Sequence, residues 1–124
     1  MNKVNETPQN NNEFILEVSN KYSLVLFFTL NNLNYLLMGD VSKEIEMKII
    51  SKYPNLNVDI LKVGHHGSST STSDELLIAY SIDTAIISCG KNNIYNHPSK
   101  EVINRLNKHG VEIRRTDEEG TISI

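Results

Sequence analysis

The stretch LKVGHHGSSTSTSDE, Leu61 to Glu75, carries an apolar segment into two adjacent histidines set between glycines, and then into a tract of small hydroxyl residues. It reads as the end of a β-strand, a turn and the start of a helix, with Thr72 and Glu75 at capping-box spacing. Consecutive side chains on an extended segment point to opposite faces, so His65 and His66 share a role only if the backbone turns at once. Gly64 and Gly67 supply freedom for such a turn. A single histidine at a strand end is ordinarily a hydrogen-bonded structural residue. A glycine-flanked pair followed by SSTSTS is a candidate for binding or chemistry.

Upstream of this stretch, FILEV, SLVLFFTL and NYLLMG read as three strands separated by SNKY and NNLN, both rich in turn formers, which predicts an antiparallel meander. After Gly39-Asp40 the period changes. Ser42 can cap, Glu44 and Glu46 occupy the first turns, and Ile45, Ile49, Ile50 and Tyr53 recur at helical spacing up to Pro54. VDILKV is a further strand that ends in the histidine pair. Downstream, TSDELLIAY is a second helix, TAIISC a strand, and SKEVINRLNKH a third helix capped by Ser99 and stopped by Gly110. VEIRRT and GTISI read as a closing hairpin around DEEG. The reading predicts an α/β (α+β) domain over residues 13–124, with a mixed, mostly antiparallel sheet and about three helices on one side. Residues 1–12, polar and Asn-rich, read as a flexible lead-in.

Composition narrows the function classes. A net charge of -3, with 15 acidic residues against 12 basic ones, argues against a broad nucleic-acid surface, which relies on uncompensated Lys and Arg; no run of stacking aromatics is present either. No apolar run approaches the roughly 20 residues of a membrane span, and the N-terminal residues lack a signal-peptide core, so a soluble segment without membrane contact is expected. The single cysteine, Cys89, excludes an internal disulfide and reads as a buried small hydrophobe.

Asp40, His65, His66 and His97 all fall at or just beyond the C-terminal end of a predicted strand, the edge where α/β sheets gather ligands. Asp40 reads either as a neighbour of a helix N-cap or as a carboxylate at the lip of the core. His97 precedes Pro98, which holds it extended. His109, beside Gly110, suits a helix C-terminus and receives no functional role. Carboxylate and imidazole together suit a borderline divalent metal such as zinc or manganese, but one Asp and two His make an incomplete dinuclear cage.

The order GD at Gly39-Asp40, HHGS at His65 to Ser68 and HPS at His97 to Ser99 closely resembles the C-terminal half of the metallo-β-lactamase-type domain in the ComEC family of competence proteins, from about Ser23 to Ile124. The resemblance implies a four-layer αββα sandwich of two similar halves with a dinuclear metal site, zinc or manganese, between them. It maps a bridging metal ligand onto Asp40 and a further ligand onto His65 or His66. We take His66 as the ligand and His65 as a supporting or substrate contact, with His97 near the scissile phosphate and Ser68 and Asn96 as neighbours. The family's histidine-rich ligand motif is absent: residues 1–64 contain no histidine. The expected function is therefore one segment of a phosphodiester (DNA) hydrolase linked to DNA uptake, inactive or nearly so on its own, whose parent would be membrane-anchored. The alternative is a non-catalytic module that docks with a missing N-terminal half or forms a homodimer. In either case one set of strand residues, Leu24, Leu26 and Phe28 or the alternate Val25 and Phe27, loses its cover.

Overall fold

A computed structural model describes residues 14–20, 23–91, 93 and 96–124; the expected lead-in lies outside them. Six strands form one sheet in sequence order: β1 (Phe14–Asn20), β2 (Ser23–Leu30), β3 (Leu33–Met38), β4 (Ile60–Lys62), β5 (Thr84–Ile87) and β6 (Glu112–Arg115). The first three are the expected antiparallel meander. Asn31 and Asn32, both at positive φ (51° and 65°), close the β2–β3 hairpin, the conformation a two-residue turn requires of both central residues.

From β3 onward the ladders β3–β4, β4–β5 and β5–β6 are parallel, so the sheet is mixed, but not mostly antiparallel as expected. The reason is the helices. α1 (Lys43–Lys52), α2 (Asp74–Tyr80) and α3 (Lys100–Lys108) each carry the chain back to the start of the next strand. Right-handed crossovers that always step the same way along a sheet put every helix on one face. Val25, Phe27, Leu36, Met38, Leu61, Ala85 and Ile87 pack there against Ile49, Leu76, Leu77, Tyr80, Val102 and Leu106 in one buried core. Each fully buried aliphatic side chain contributes on the order of 1.5–3 kcal/mol.

The alternate residues form the other face. Leu24 and Leu30 are about half exposed, Leu26, Leu33 and Leu37 are partly exposed, and the rings of Phe28 and Tyr35 stack at 5.0 Å. Of the two sets considered above, it is Leu24, Leu26 and Phe28 that lack a covering layer among the described residues.

The expected closing hairpin is absent. DEEG lies at the end of a short helix, α4 (Thr116–Glu119), and the last residues form no strand. Local pairing explains this: Arg115 grips Asp117 (2.7 and 3.0 Å) and Arg114 grips Glu119, which winds the chain instead of extending it. The Thr116 hydroxyl donates to the Cys89 carbonyl and accepts from the Cys89 amide, tying α4 to the segment after β5.

A second departure matters more. Glu46 sits in the first turn of α1, as its place in the sequence predicts, but it is fully buried. Its carboxylate accepts the Thr72 amide (2.5 Å) and the Ser73 amide (2.8 Å). Thr72 is thereby held at φ 59°, and Ser73 becomes the N-cap of α2, accepting from the Leu76 amide, in place of the expected Thr72–Glu75 box. Ser42 begins α1 without a side-chain cap.

Burial holds the Glu46 carboxyl above its ordinary value of 4.5, against the pull of the Ser73 and Thr72 amides and of Lys43. The folded chain then keeps a proton that the unfolded chain releases, so Glu46 makes stability fall as pH rises from 4.5 through its raised value. Denaturation midpoints across this range should show that slope in the parent and lose it in Glu46→Gln. Glu46→Ala leaves two buried amides without an acceptor and should cost about 1–3 kcal/mol for each.

Candidate functional site

β3, β4 and β5 run parallel and end on one edge, and the segments that follow them meet there. After β3, the Gly39 carbonyl accepts the His65 amide (3.2 Å), which joins the Gly39-Asp40 turn to the histidine turn. Gly64 permits that approach: a Cβ on it would lie 3.0 Å from the Gly39 carbonyl oxygen and 3.2 Å from the Met38 Cβ. Asp40 itself is exposed.

The turn after β4 is made by the histidines themselves. Residues Gly64–Gly67 form a tight helical turn in which His65 (φ 53°, ψ 35°) and His66 (φ 52°, ψ 29°) are both left-handed. Both imidazoles are exposed. Left-handed geometry costs an ordinary residue roughly 1–2 kcal/mol, and the hydroxyl tract stabilises it. Ser71 donates to the Gly64 and Ser68 carbonyls (2.8 and 3.2 Å), the Ser68 amide donates to the His65 carbonyl (2.9 Å), and Thr70 meets both Ser68 and the His65 Nδ1. The SSTSTS run is thus mostly scaffold: Ser68, Ser71, Thr72 and Ser73 are buried.

His66 turns its Nδ1 to the Ser88 carbonyl at 2.8 Å. A carbonyl only accepts, so Nδ1 carries the hydrogen and Nε2 of the neutral ring keeps its lone pair. That is the tautomer a metal-ligating or proton-accepting imidazole needs.

His97 is positioned by Asn93, a residue the sequence reading passed over. The Asn93 amide group donates to the His97 carbonyl (2.6 Å) and its oxygen accepts the His97 amide (2.9 Å). The His97–Pro98 peptide is cis. Pro98 packs so tightly on Gly67 that a Cβ there would come within 2.6 Å of the Pro98 Cβ and 2.9 Å of its Cα, and the Ser99 amide donates to the Gly67 carbonyl (2.9 Å). The His97 ring centre comes to rest 6.4 Å from that of His65. Burial, then the nearby charges of His65 and His66, push the His97 imidazole below its ordinary 6.5, which favours its neutral form at neutral pH.

The structure therefore brings His65, His66 and His97 to one edge, with the Asp40 turn hydrogen-bonded alongside. Among the described residues no group of three or more His, Cys, Asp or Glu side chains is placed to hold a metal ion. A pocket of about 280 Å³ is lined by His66, Ser88, Cys89, Gly90, Asn93 and His97. Cys89 is half-buried at its wall, not fully buried as expected, and burial together with Asp117 pushes its thiol up, away from nucleophile chemistry. Asn96 is exposed at φ 53°. His109 lies apart: it caps α3 and bonds to Asp74 (2.8 Å), holding that carboxyl below its ordinary range.

No family model matches the chain. It is 45% identical over 103 residues to ComE operon protein 3 of Bacillus subtilis, covering 83% of this chain and 13% of that protein. It is 38% identical over 106 residues to competence protein ComA of Neisseria gonorrhoeae, covering 85% of this chain and 15% of that one. Recombination protein 2 of Haemophilus influenzae is 32% identical over 113 residues, 89% of this chain and 14% of its own length. The chain thus spans about one seventh of each relative.

The packing of Pro98 on Gly67 gives a direct check. Gly67→Ala must strain a backbone at φ 85° and drive a methyl into Pro98. It should cost upward of about 2 kcal/mol in chemical denaturation, with the largest amide shift changes at His97 and Ser99. A stable variant with an unchanged His97 loop would show that the two loops are not coupled.

Proposed function

Because this chain is related over most of its length to one segment of the ComEC-type competence proteins, we propose that it serves in DNA uptake as the C-terminal segment of a metal-dependent phosphodiester hydrolase domain. The observation that carries the reading is the His66–Ser88 hydrogen bond, which aims a lone pair of a neutral imidazole from the same edge as His97 and the Asp40 turn. An aspartate and an imidazole are the donors a zinc or manganese ion takes, and Asp40 and His66 would hold it. When bound, the ion supplies an acidified water and neutralises phosphate charge.

This chain's own residues set the rest of the site. Ser88 fixes the His66 tautomer. Asn93 fixes the backbone of His97, whose depressed pKa leaves the ring able to accept a hydrogen bond or a proton at neutral pH. His65, reached by the Thr70 hydroxyl, stands over the same edge as a substrate contact.

Two donors fall short of the four of a closed site, so the remaining ligands come from outside the described residues. The uncovered sheet face supports the same division. Leu24, Leu26, Phe28, Leu30 and Leu37 form an apolar surface of the kind that a second sheet covers. In a protein as long as the relatives, that sheet comes from an adjoining segment; for this chain alone, a second copy is the available cover.

Alone, the chain should bind zinc or manganese only weakly, and submicromolar stoichiometric binding lost in Asp40→Ala would contradict the shared site. Combined with an adjoining histidine-bearing segment of a relative, it should cleave a DNA oligonucleotide with added metal. Asp40→Ala or His66→Ala should lower that rate at least about 100-fold. A loaded assembly indifferent to both substitutions would sink the assignment.

The face makes a separate prediction. Light scattering at tens of micromolar should find a dimer or larger assembly of the isolated chain, and Leu24→Lys with Leu30→Lys should shift it to monomer. A monodisperse parent monomer that binds no hydrophobic dye would rule out the open face.

A further inference from the structure

A second depression opens on the other side of His97 from the pocket described above. It measures about 540 Å³ and is lined by Ser68, Ser69, Asn96, His97, Pro98, Ser99 and Lys100. His97 lines both hollows, so it forms the wall between them.

The chemistry of the second hollow is one-sided. Among the described residues its lining has hydroxyls, an amide, an imidazole and one ammonium, but no carboxylate. Lys100 is exposed and forms no ion pair among the described residues. At the opposite end of the strands, the lining of a hollow of about 300 Å³ includes Asp59, Asp83 and Glu112 together with Arg114. In a chain of net charge -3, a rim that carries a lysine and, among the described residues, no carboxylate lies beside the histidines. The hollow is also built to last. Ser68 is buried in its floor, Pro98 is wedged on Gly67, and Ser99 both donates to the Gly67 carbonyl and caps α3.

Resting on the hydrolase reading, we propose that this hollow is a flanking-phosphate subsite: a nucleic-acid strand crosses the edge over His97 and places the phosphate next to the scissile one against Lys100, Ser69 and Asn96. Lys100 is then a positioning residue that selects a strand over a single phosphodiester. An ammonium suits this role, because a phosphate held by a point charge can be of any sequence.

The test is binding, with EDTA present so that no metal contributes. The labelled chain is titrated with the thymidine dinucleotide, which has one phosphodiester, and with the trinucleotide, which has two, while amide shifts are followed. The trinucleotide should bind about five- to tenfold tighter than the dinucleotide, with additional shifts at Ser69 and Lys100. Lys100→Gln should erase that gain and lower the salt slope for the trinucleotide by about one, and Lys100→Arg should keep both. Equal affinity for the two ligands, or a gain that survives Lys100→Gln, overturns the subsite. If shifts still gather at His66 and His97 in that case, the hydrolase reading stands without it. If neither ligand perturbs this edge, both fall.

Discussion

Everything at the candidate site depends on one buried carboxylate. Glu46 accepts the amides of Thr72 and Ser73 from within the core, while Arg105, from α3, donates to the carbonyls of Ser71 and Thr72. The Lys43 amide adds a bond to the Thr70 carbonyl. The loop is thus gripped by its donors from α1 and by its acceptors from α3. A buried carboxylate alone would cost several kcal/mol; two short amide bonds at the start of α2, where the helix dipole favours a negative charge, offset most of that. The residual shows as a raised carboxyl pKa.

Rigidity passes from this clamp to the site by short steps. The held loop supplies the Ser71 hydroxyl that satisfies the Gly64 and Ser68 carbonyls, and with them the left-handed histidines. The turned histidines let His66 reach Ser88, and Gly67 receives Pro98, which carries His97. No one contact is large. Together they hold two residues in a conformation that each would avoid alone, which is how backbone strain persists at sites where it serves binding.

Much of this was legible from residue order, and what was not has identifiable causes. The strands, the helices and the shared edge of Asp40, His65, His66 and His97 follow from periodicity and from Gly and Pro placement, which are local signals. The burial of Glu46 gave no signal, because a glutamate in a first turn looks the same whether it faces water or caps a loop 26 residues away. The histidine turn misled because glycines on both sides invite the turn onto themselves, whereas φ is positive at His65, His66 and Gly67. Asn93 gave no signal, since an asparagine in a loop is ordinary until its carbonyl and amide are seen to clamp one residue. The closing hairpin failed because Arg115–Asp117 pairing and the Thr116 hydroxyl outcompete a marginal strand.

The parallel half of the sheet explains why these residues meet at all. In an antiparallel meander, successive strands end on opposite edges, so motifs that each follow a strand would alternate between the two ends of the domain. With β3, β4 and β5 parallel, Gly39-Asp40, the histidine turn and the Ser88 to Pro98 segment all leave from one edge, and each needs only a loop's length to touch the next. Even β6 arrives there, delivering Thr116 to Cys89. The acidic residues Asp59, Asp83 and Glu112, which precede or begin their strands, are sent by the same rule to the far edge. Strand direction therefore decides which residues meet: those that follow β3, β4 and β5, the Asp40 turn included, gather at one edge, and those that precede or begin β4, β5 and β6 gather at the other.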